Sequence, residues 1–341
     1  MPPLATAFGD HMAATSSTPR SRILVLVSVA AVVAAGIGAI VWGVVVSSRS
    51  SATNVAPSSA LPDDTAMGVV ELSAHDLPKV RAYYEDAVGL TVLSETQNEV
   101  VLGLDEPLLR VTSGAGGESG STLAEAGLYH SAILYPDAAS LASTLVTLAS
   151  VAPDSFQGSA DHAVSQAFYF LDPEGNGLEL YIDRPRSEWR WSDGEVQMGS
   201  AQLDPAAFIQ EHLGAESVDP DAATMGHVHL KVGDLDEARA FYADALGFAV
   251  TSQTDGALFY AAGGYHHHLA TNTWQSAGAG TRTNATGLGS LTITIPDDGT
   301  VDEIADRLDA AGHDSERSDS GLSVEDPWGN LVRIAIGGAG A

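Results

Sequence analysis

Cysteine is missing from all 341 residues, which excludes disulfides, thiolate metal ligands and cysteine nucleophiles together. Cations are scarce as well. Lysine occurs only as Lys79 and Lys231, and 15 basic residues stand against 44 acidic ones, a formal charge of −29. A surface this short of Lys and Arg cannot neutralise a phosphate backbone, so nucleic acid is excluded as a partner. The same charge repels anionic lipid surfaces. Apolar residues make up 45% and charged residues 17% of the chain, so a sizeable core can form and wholesale disorder is excluded. The length suits roughly two domains. Any metal must be held by His, Asp or Glu, and 11 histidines are present.

Residues 23–46 (ILVLVSVAAVVAAGIGAIVWGVVV) carry no charge over 24 positions. As a helix rising about 1.5 Å per residue, the run would reach ~36 Å, enough to cross a hydrocarbon core of ~30 Å. A buried core helix rarely sustains such a stretch, and the apolar part of a secretory signal normally runs ~7–15 residues. The expectation is a tail at 1–22, an uncleaved transmembrane anchor at 23–46 and a flexible Ser-, Ala- and Pro-rich tether at 47–66. Arg20 and Arg22 precede the run and Arg49 follows it. By the positive-inside rule the N-terminus stays cytoplasmic and the remainder lies outside the cell membrane, with the cytoplasmic face as the alternative.

Beyond the tether the chain repeats itself. Residues 67–90 (MGVVELSAHDLPKVRAYYEDAVGL) resemble 225–248 (MGHVHLKVGDLDEARAFYADALGF), and GLYHSAILYPD at 127–137 matches GLGSLTITIPD at 287–297. DPEGN at 172–176 likewise matches DPWGN at 326–330. This defines halves at 67–184 and 224–336 joined by a connector at 185–223. Each half divides into two units of strand, helix and further strands. In the third unit, alternating Val228, Leu230 and Val232 form a strand, Asp234 caps a helix, and Ala238, Phe241, Tyr242 and Ala245 give that helix an apolar face ending at Gly247. The Asp-Pro-x-Gly-Asn runs are tight turns between strands. A short helix is expected after Asp204-Pro205. The predicted architecture is α+β, four βαβββ units in two duplicated halves, preceded by one transmembrane helix.

These segments, with AGGYHHHLATNTW and DHAVSQAFYFLDPEGNGLELY, resemble the vicinal oxygen chelate superfamily of glyoxalases, bleomycin resistance proteins and extradiol dioxygenases. More narrowly, they are similar to two-domain ring-cleaving enzymes of the bacterial catechol 2,3-dioxygenase-like branch, over about residues 67–336. The resemblance implies a non-haem Fe(II) site, with Mn(II) as an alternative, held by two His and one carboxylate. The matching positions are His130, His227 and Glu179. Their counterparts in the other two units are Ser290, Val69 and Arg333, so one metal site is kept and its copy lost. The more common relatives draw all three ligands from the C-terminal half, whereas this set requires the two inner units to pair.

The same resemblance implies roles around the metal. His267, in Tyr265-His266-His267-His268, matches the proton-transferring histidine, and a neutral-range pKa suits that task. Tyr169 matches a tyrosine that hydrogen-bonds a catecholate oxygen, and His162 lies near another polar position of the site. His266 and His268 are expected on the opposite side of the strand from His267. Each candidate has a plainer reading by itself: a strand histidine with an ordinary hydrogen bond, a solvent-facing Glu179, a core Tyr169. His229 shares a strand face with His227 and is the rival ligand. The implied reaction is extradiol cleavage of a catechol- or hydroquinone-like diol by O2. Related proteins commonly associate, so a homo-oligomer is one assembly the resemblance allows, with the oligomeric state left open by the sequence. A glyoxalase-like lyase or isomerase, and a metal-free binding or resistance protein, are the alternatives. The lyase would need a second carboxylate, and His266–Trp274 contains neither Asp nor Glu.

Overall fold

In the computed structural model, residues 54–114, 124–217, 219, 221–283 and 286–337 are described. The first unit comprises β1 (Ala66–Ala74), α1 (Leu77–Ala82) widening into a π-helical turn at Tyr83–Val88, and strands β2 (Thr91–Glu95), β3 (Glu99–Gly103) and β4 (Pro107–Ser113). The second has β5 (Gly127–Leu134), α2 (Ala138–Val151), β6 (Phe156–Asp161), β7 (Ser165–Leu171) and β8 (Gly177–Asp183). The connector adds the short strands β9 (Trp191–Ser192), β10 (Glu195–Val196) and β11 (Ala201–Gln202), then α3 (Pro205–His212). The third unit runs through β12 (Thr224–Lys231), α4 (Leu235–Ala238) with a π-helical turn at Arg239–Ala245, β13 (Ala249–Thr254), β14 (Ala257–Ala261) and β15 (Leu269–Asn272). The fourth has β16 (Gly287–Ile295), α5 (Asp298–Ala311), β17 (Ser315–Ser318), β18 (Gly321–Glu325) and β19 (Leu331–Ile336).

Local chemistry explains most of these boundaries. Every α-helix among the described residues starts from an aspartate whose carboxylate accepts backbone N–H groups of the first turn: Asp76, Asp137, Asp204, Asp234 and Asp297. Such a cap contributes about 1 kcal/mol by satisfying donors that the helix cannot. Gly247 follows the third unit's helix at a φ of 101°, a left-handed conformation that side-chain-bearing residues resist. In the Asp-Pro-x-Gly-Asn turns the aspartate acts as a hub. Asp326 accepts from the backbone of Trp328 and Asn330, from the Asn330 amide and from the Tyr242 hydroxyl. Asp172 does the same for Glu174 and Asn176.

The strands form two large sheets. One has the order β17-β18-β19-β16-β1-β4-β3-β2 and the other β11-β6-β7-β8-β5-β12-β15-β14-β13. The outer units one and four thus share a sheet, and the inner units two and three share the other, as the ligand set required. The seams are antiparallel pairings of β1 with β16 and of β5 with β12. Alternation sends Leu178 and Leu180 of β8, and Val228 and Leu230 of β12, into the main apolar core. The intervening residues face the opposite side of the sheet.

The expected tether does not remain apart throughout. The Ala60 amide donates to the Gly247 carbonyl at 2.8 Å, and Leu61 and Thr65 are buried. The transmembrane helix expected ahead of the fold is corrected, and with it the place in the cell membrane and the membrane as a partner. No helix among the described residues is long and apolar enough to cross a bilayer. The longest, α2 and α5, have 14 residues each, about 21 Å against a hydrocarbon core of about 30 Å. The run at 23–46 lies outside the described residues.

The hub role of the turn aspartate has a measurable consequence. Asp326→Ala strands several buried donors at once, so it should cost about 2–4 kcal/mol of stability, read as a lowered midpoint in urea unfolding.

Candidate metal centre and active site

The inner seam brings the candidate ligands together. In the antiparallel register of β12 on β5, His229 lies opposite His130 and His227 opposite Ala132. In the parallel register of β5 on β8, Ala132 lies opposite Glu179. A bulge at Met225–His227 shifts the register beside the site. It passes through Gly226, where a Cβ would meet the Tyr181 hydroxyl at 1.9 Å. Only glycine leaves room for Tyr181 there.

His130 Nε2, His227 Nε2 and Glu179 Oε2 form a triangle. Its edges are 3.3 Å between the imidazoles, 3.0 Å from His130 to Glu179 and 3.2 Å from His227 to Glu179. Among the described residues this is the one group of three His, Asp or Glu side chains so placed, and all three are buried. Donors set near right angles around one ion at about 2.1 Å lie about 3 Å apart, so the triangle fits a single cation. The Nδ1 atoms of His130 and His227 are buried without a partner. Neither ring is held in one tautomer from behind, and each can turn a bare Nε2 to a cation. Burial pushes the Glu179 carboxyl upward, but the attraction of His227 and hydrogen bonds from both imidazoles outweigh this and hold it well below the usual range. It is therefore an anion at neutral pH.

His229 stands aside from this cluster. Its Nε2 meets the Asn272 amide at 3.0 Å, and its ring lies among the half-buried Tyr129, Phe259 and Trp274. His267 precedes β15 and stacks near His227, with ring centroids 4.2 Å apart. Burial, then the proximity of His227 and His266, pushes His267 well below the ordinary imidazole range, and it is neutral at pH 7. Tyr169 lies opposite Glu179 in the β7–β8 register, with its ring 5.7 Å from that of His130. Burial and the Glu179 charge keep its hydroxyl protonated. His162 Nδ1 lies 2.6 Å from the Gly199 carbonyl, which can only accept, so Nδ1 is the donor. His162 Nε2 lies 2.7 Å from the Tyr169 hydroxyl, in hydrogen-bond contact with it.

All six residues singled out in the sequence thus occupy one region. The expectation for His266 is overturned, because β15 begins only at Leu269 and the triple histidine lies in the loop before it. His266 does not face away. Its Nε2 is 2.8 Å from Asp183 and its Nδ1 is 2.7 Å from His267. Asp183 was missed, although the period of two from Glu179 through Tyr181 marks it. In the outer sheet, the counterpart positions hold a different cluster: Ser290 donates to Glu71 at 3.3 Å and receives the Arg333 Nε–H at 3.2 Å.

Duplicated βαβββ units enclosing a two-His-one-carboxylate cluster define a class of metal-dependent enzymes and binding proteins, and the comparisons agree. Residues 224–334 match the family model described as Glyoxalase/Bleomycin resistance protein/Dioxygenase superfamily. A Catechol-2,3-dioxygenase of Bacillus subtilis (strain 168) is 36% identical over 276 residues, 79% of this chain and 96% of that protein. The chain belongs to this superfamily. A Biphenyl-2,3-diol 1,2-dioxygenase 3 of Rhodococcus globerulus is 30% identical over 115 residues, 33% of this chain and 60% of that relative. A solved structure of a protein from Bacillus subtilis subsp. subtilis str. 168 superposes with a TM-score of 0.55 at 16% identity, over 81% of this chain and 86% of that one. That last likeness is one of fold.

If the triangle is the metal site, His130→Ala, Glu179→Ala and His227→Ala should each abolish stoichiometric Fe(II) binding under anaerobic conditions, with far-UV circular dichroism unchanged. His229→Ala should still bind one equivalent; loss of iron there, with retention in His227→Ala, would shift the ligand by two residues.

Proposed function

We propose that the protein is a non-haem iron dioxygenase that opens a catechol- or hydroquinone-like aromatic diol beside its hydroxyl-bearing carbons, using O2. The observation that carries this reading is the buried His130–His227–Glu179 triangle. It occurs in a chain 36% identical, over nearly the full length of the relative, to a Catechol-2,3-dioxygenase. Two neutral imidazoles and one carboxylate suit Fe(II), and Mn(II) after it, and they leave coordination positions open for substrate. The bound metal would supply the electron transfer that lets O2 react with the ring.

The chain's own residues would do the rest. His130, His227 and Glu179 hold the ion and contribute one negative charge. The neutral His267 takes a phenolic proton from the diol and later returns one. Tyr169, protonated and anchored by His162, positions a hydroxyl toward a diol oxygen. Tyr129, Phe259 and Trp274 offer half-buried aromatic faces against which a ring can pack. The glyoxalase-like alternative finds less support, since the ligand group contains three residues rather than four. A metal-free binding protein has no use for the triangle.

Mixing Fe(II)-loaded protein with a panel of catechols and hydroquinones in air tests this. Expected is stoichiometric O2 uptake with a yellow ring-opened product; full iron occupancy without O2 uptake across the panel would overturn the reading. His267→Phe should keep its iron and lose about 10²–10⁴-fold in turnover, the usual contribution of a general acid–base group, measured by oxygen electrode.

A further inference from the structure

We infer that Asp183 and His266 decide which ring nitrogen of His267 carries its proton, leaving Nε2 as the proton-accepting atom. This rests on the proposed role of His267 and adds two positioning residues to it. Along β8, Glu179, Tyr181 and Asp183 fall on one face of the strand. The first belongs to the triangle, and the third reaches the loop before β15. There Asp183 Oδ1 lies 2.8 Å from His266 Nε2, and His266 Nδ1 lies 2.7 Å from His267 Nδ1.

The direction of each hydrogen bond follows from what the groups can donate. An ionised carboxylate only accepts, so the proton in the first bond belongs to His266 Nε2. A neutral imidazole has one N–H, so His266 Nδ1 is then a bare acceptor. Two ring nitrogens 2.7 Å apart need a proton between them. A second proton on His266 would reverse the bond and move the His267 N–H to Nε2, whereas a singly protonated His266 leaves His267 Nδ1 to supply it. His267 has thereby committed its one N–H, and its lone pair is on Nε2. The opposite tautomer would set two lone pairs against each other in a buried site, at the full cost of an unmade hydrogen bond.

The surroundings hold this line in place. His266 is wholly buried, with ring centroids 4.1 Å from Tyr265 and 5.2 Å from Trp189. Its carbonyl accepts from the Thr251 hydroxyl at 2.6 Å, so both its main chain and its ring are tied. Tyr181 and Tyr265, hydroxyl to hydroxyl at 2.8 Å, close the side toward β8.

The test is side-chain ¹⁵N NMR on the metal-free full chain, which distinguishes Nδ1–H from Nε2–H tautomers without any turnover. The wild type should show His266 protonated at Nε2 and His267 at Nδ1. In Asp183→Asn the amide can donate to His266 Nε2 and reverse the line, so His267 should move to the Nε2–H form. The iron-loaded variant should then keep its metal and lose about 10²–10⁴-fold in kcat, with KM changed by less than about threefold. Asp183→Glu should recover much of the loss. An Nε2-protonated His267 in the wild type, an unchanged tautomer in Asp183→Asn, or an unchanged kcat there would each overturn the inference. Should the wild type turn over no diol, the proposed activity fails while the wild-type spectrum still decides the tautomer, and it does so even if a variant fails to fold.

Discussion

The antiparallel pairing of β12 on β5 is the constraint on which the rest of the molecule depends. It joins the second and third units into one sheet. It also places two imidazoles 97 residues apart within 3.3 Å of each other. Parallel pairing of β8 on β5 then adds Glu179. Moving any of these strands by one residue would turn its site-facing side chains into the core and its leucines and valines out of it. Apolar burial on one face and the His130–His227–Glu179 triangle on the other are thus the same register, read from two sides.

Burying a carboxylate and several histidines in one place is expensive unless they satisfy one another. Here the offset comes from lines of hydrogen bonds rather than isolated pairs: Glu179 to His130 and His227, Asp183 to His266 to His267, and Gly199 to His162 to Tyr169. Each line ends on a group whose polarity is not negotiable, a carboxylate or a carbonyl. With singly protonated imidazoles, the orientation of the protons follows from those ends. The outer sheet shows that the fold does not require this arrangement. With Val69, Ser290 and Arg333 in the corresponding places, β1 and β16 pair across the same kind of seam, and Arg333 remains exposed.

Much of the fold could be read along the chain. The offset repeat announced the duplication, because the two halves retain the same caps, apolar spacings and aspartate-centred turns. His130, His227, Glu179, Tyr169, His162 and His267 follow from the family resemblance, position by position, and the fold brings them into one region. His266 was misplaced because alternation was extended into a segment that is loop, where no two-residue period applies. The uncharged run at 23–46 was given a spanning role on hydropathy alone, and no described helix has that character.

The sequence by itself determined the local chemistry: where helices start, where turns close, which faces are apolar, and where imidazoles and carboxylates stand along the strands. These depend on neighbours a few positions away, so they are legible in order along the chain. The tertiary structure alone decided that the inner units share a sheet, that His227 rather than His229 meets Glu179, and that Asp183 reaches His266 across 83 residues. Those outcomes depend on strand partners and on the course of one loop. The free energy that selects them comes from burying whole sheets against helices, and no short window of residues contains it.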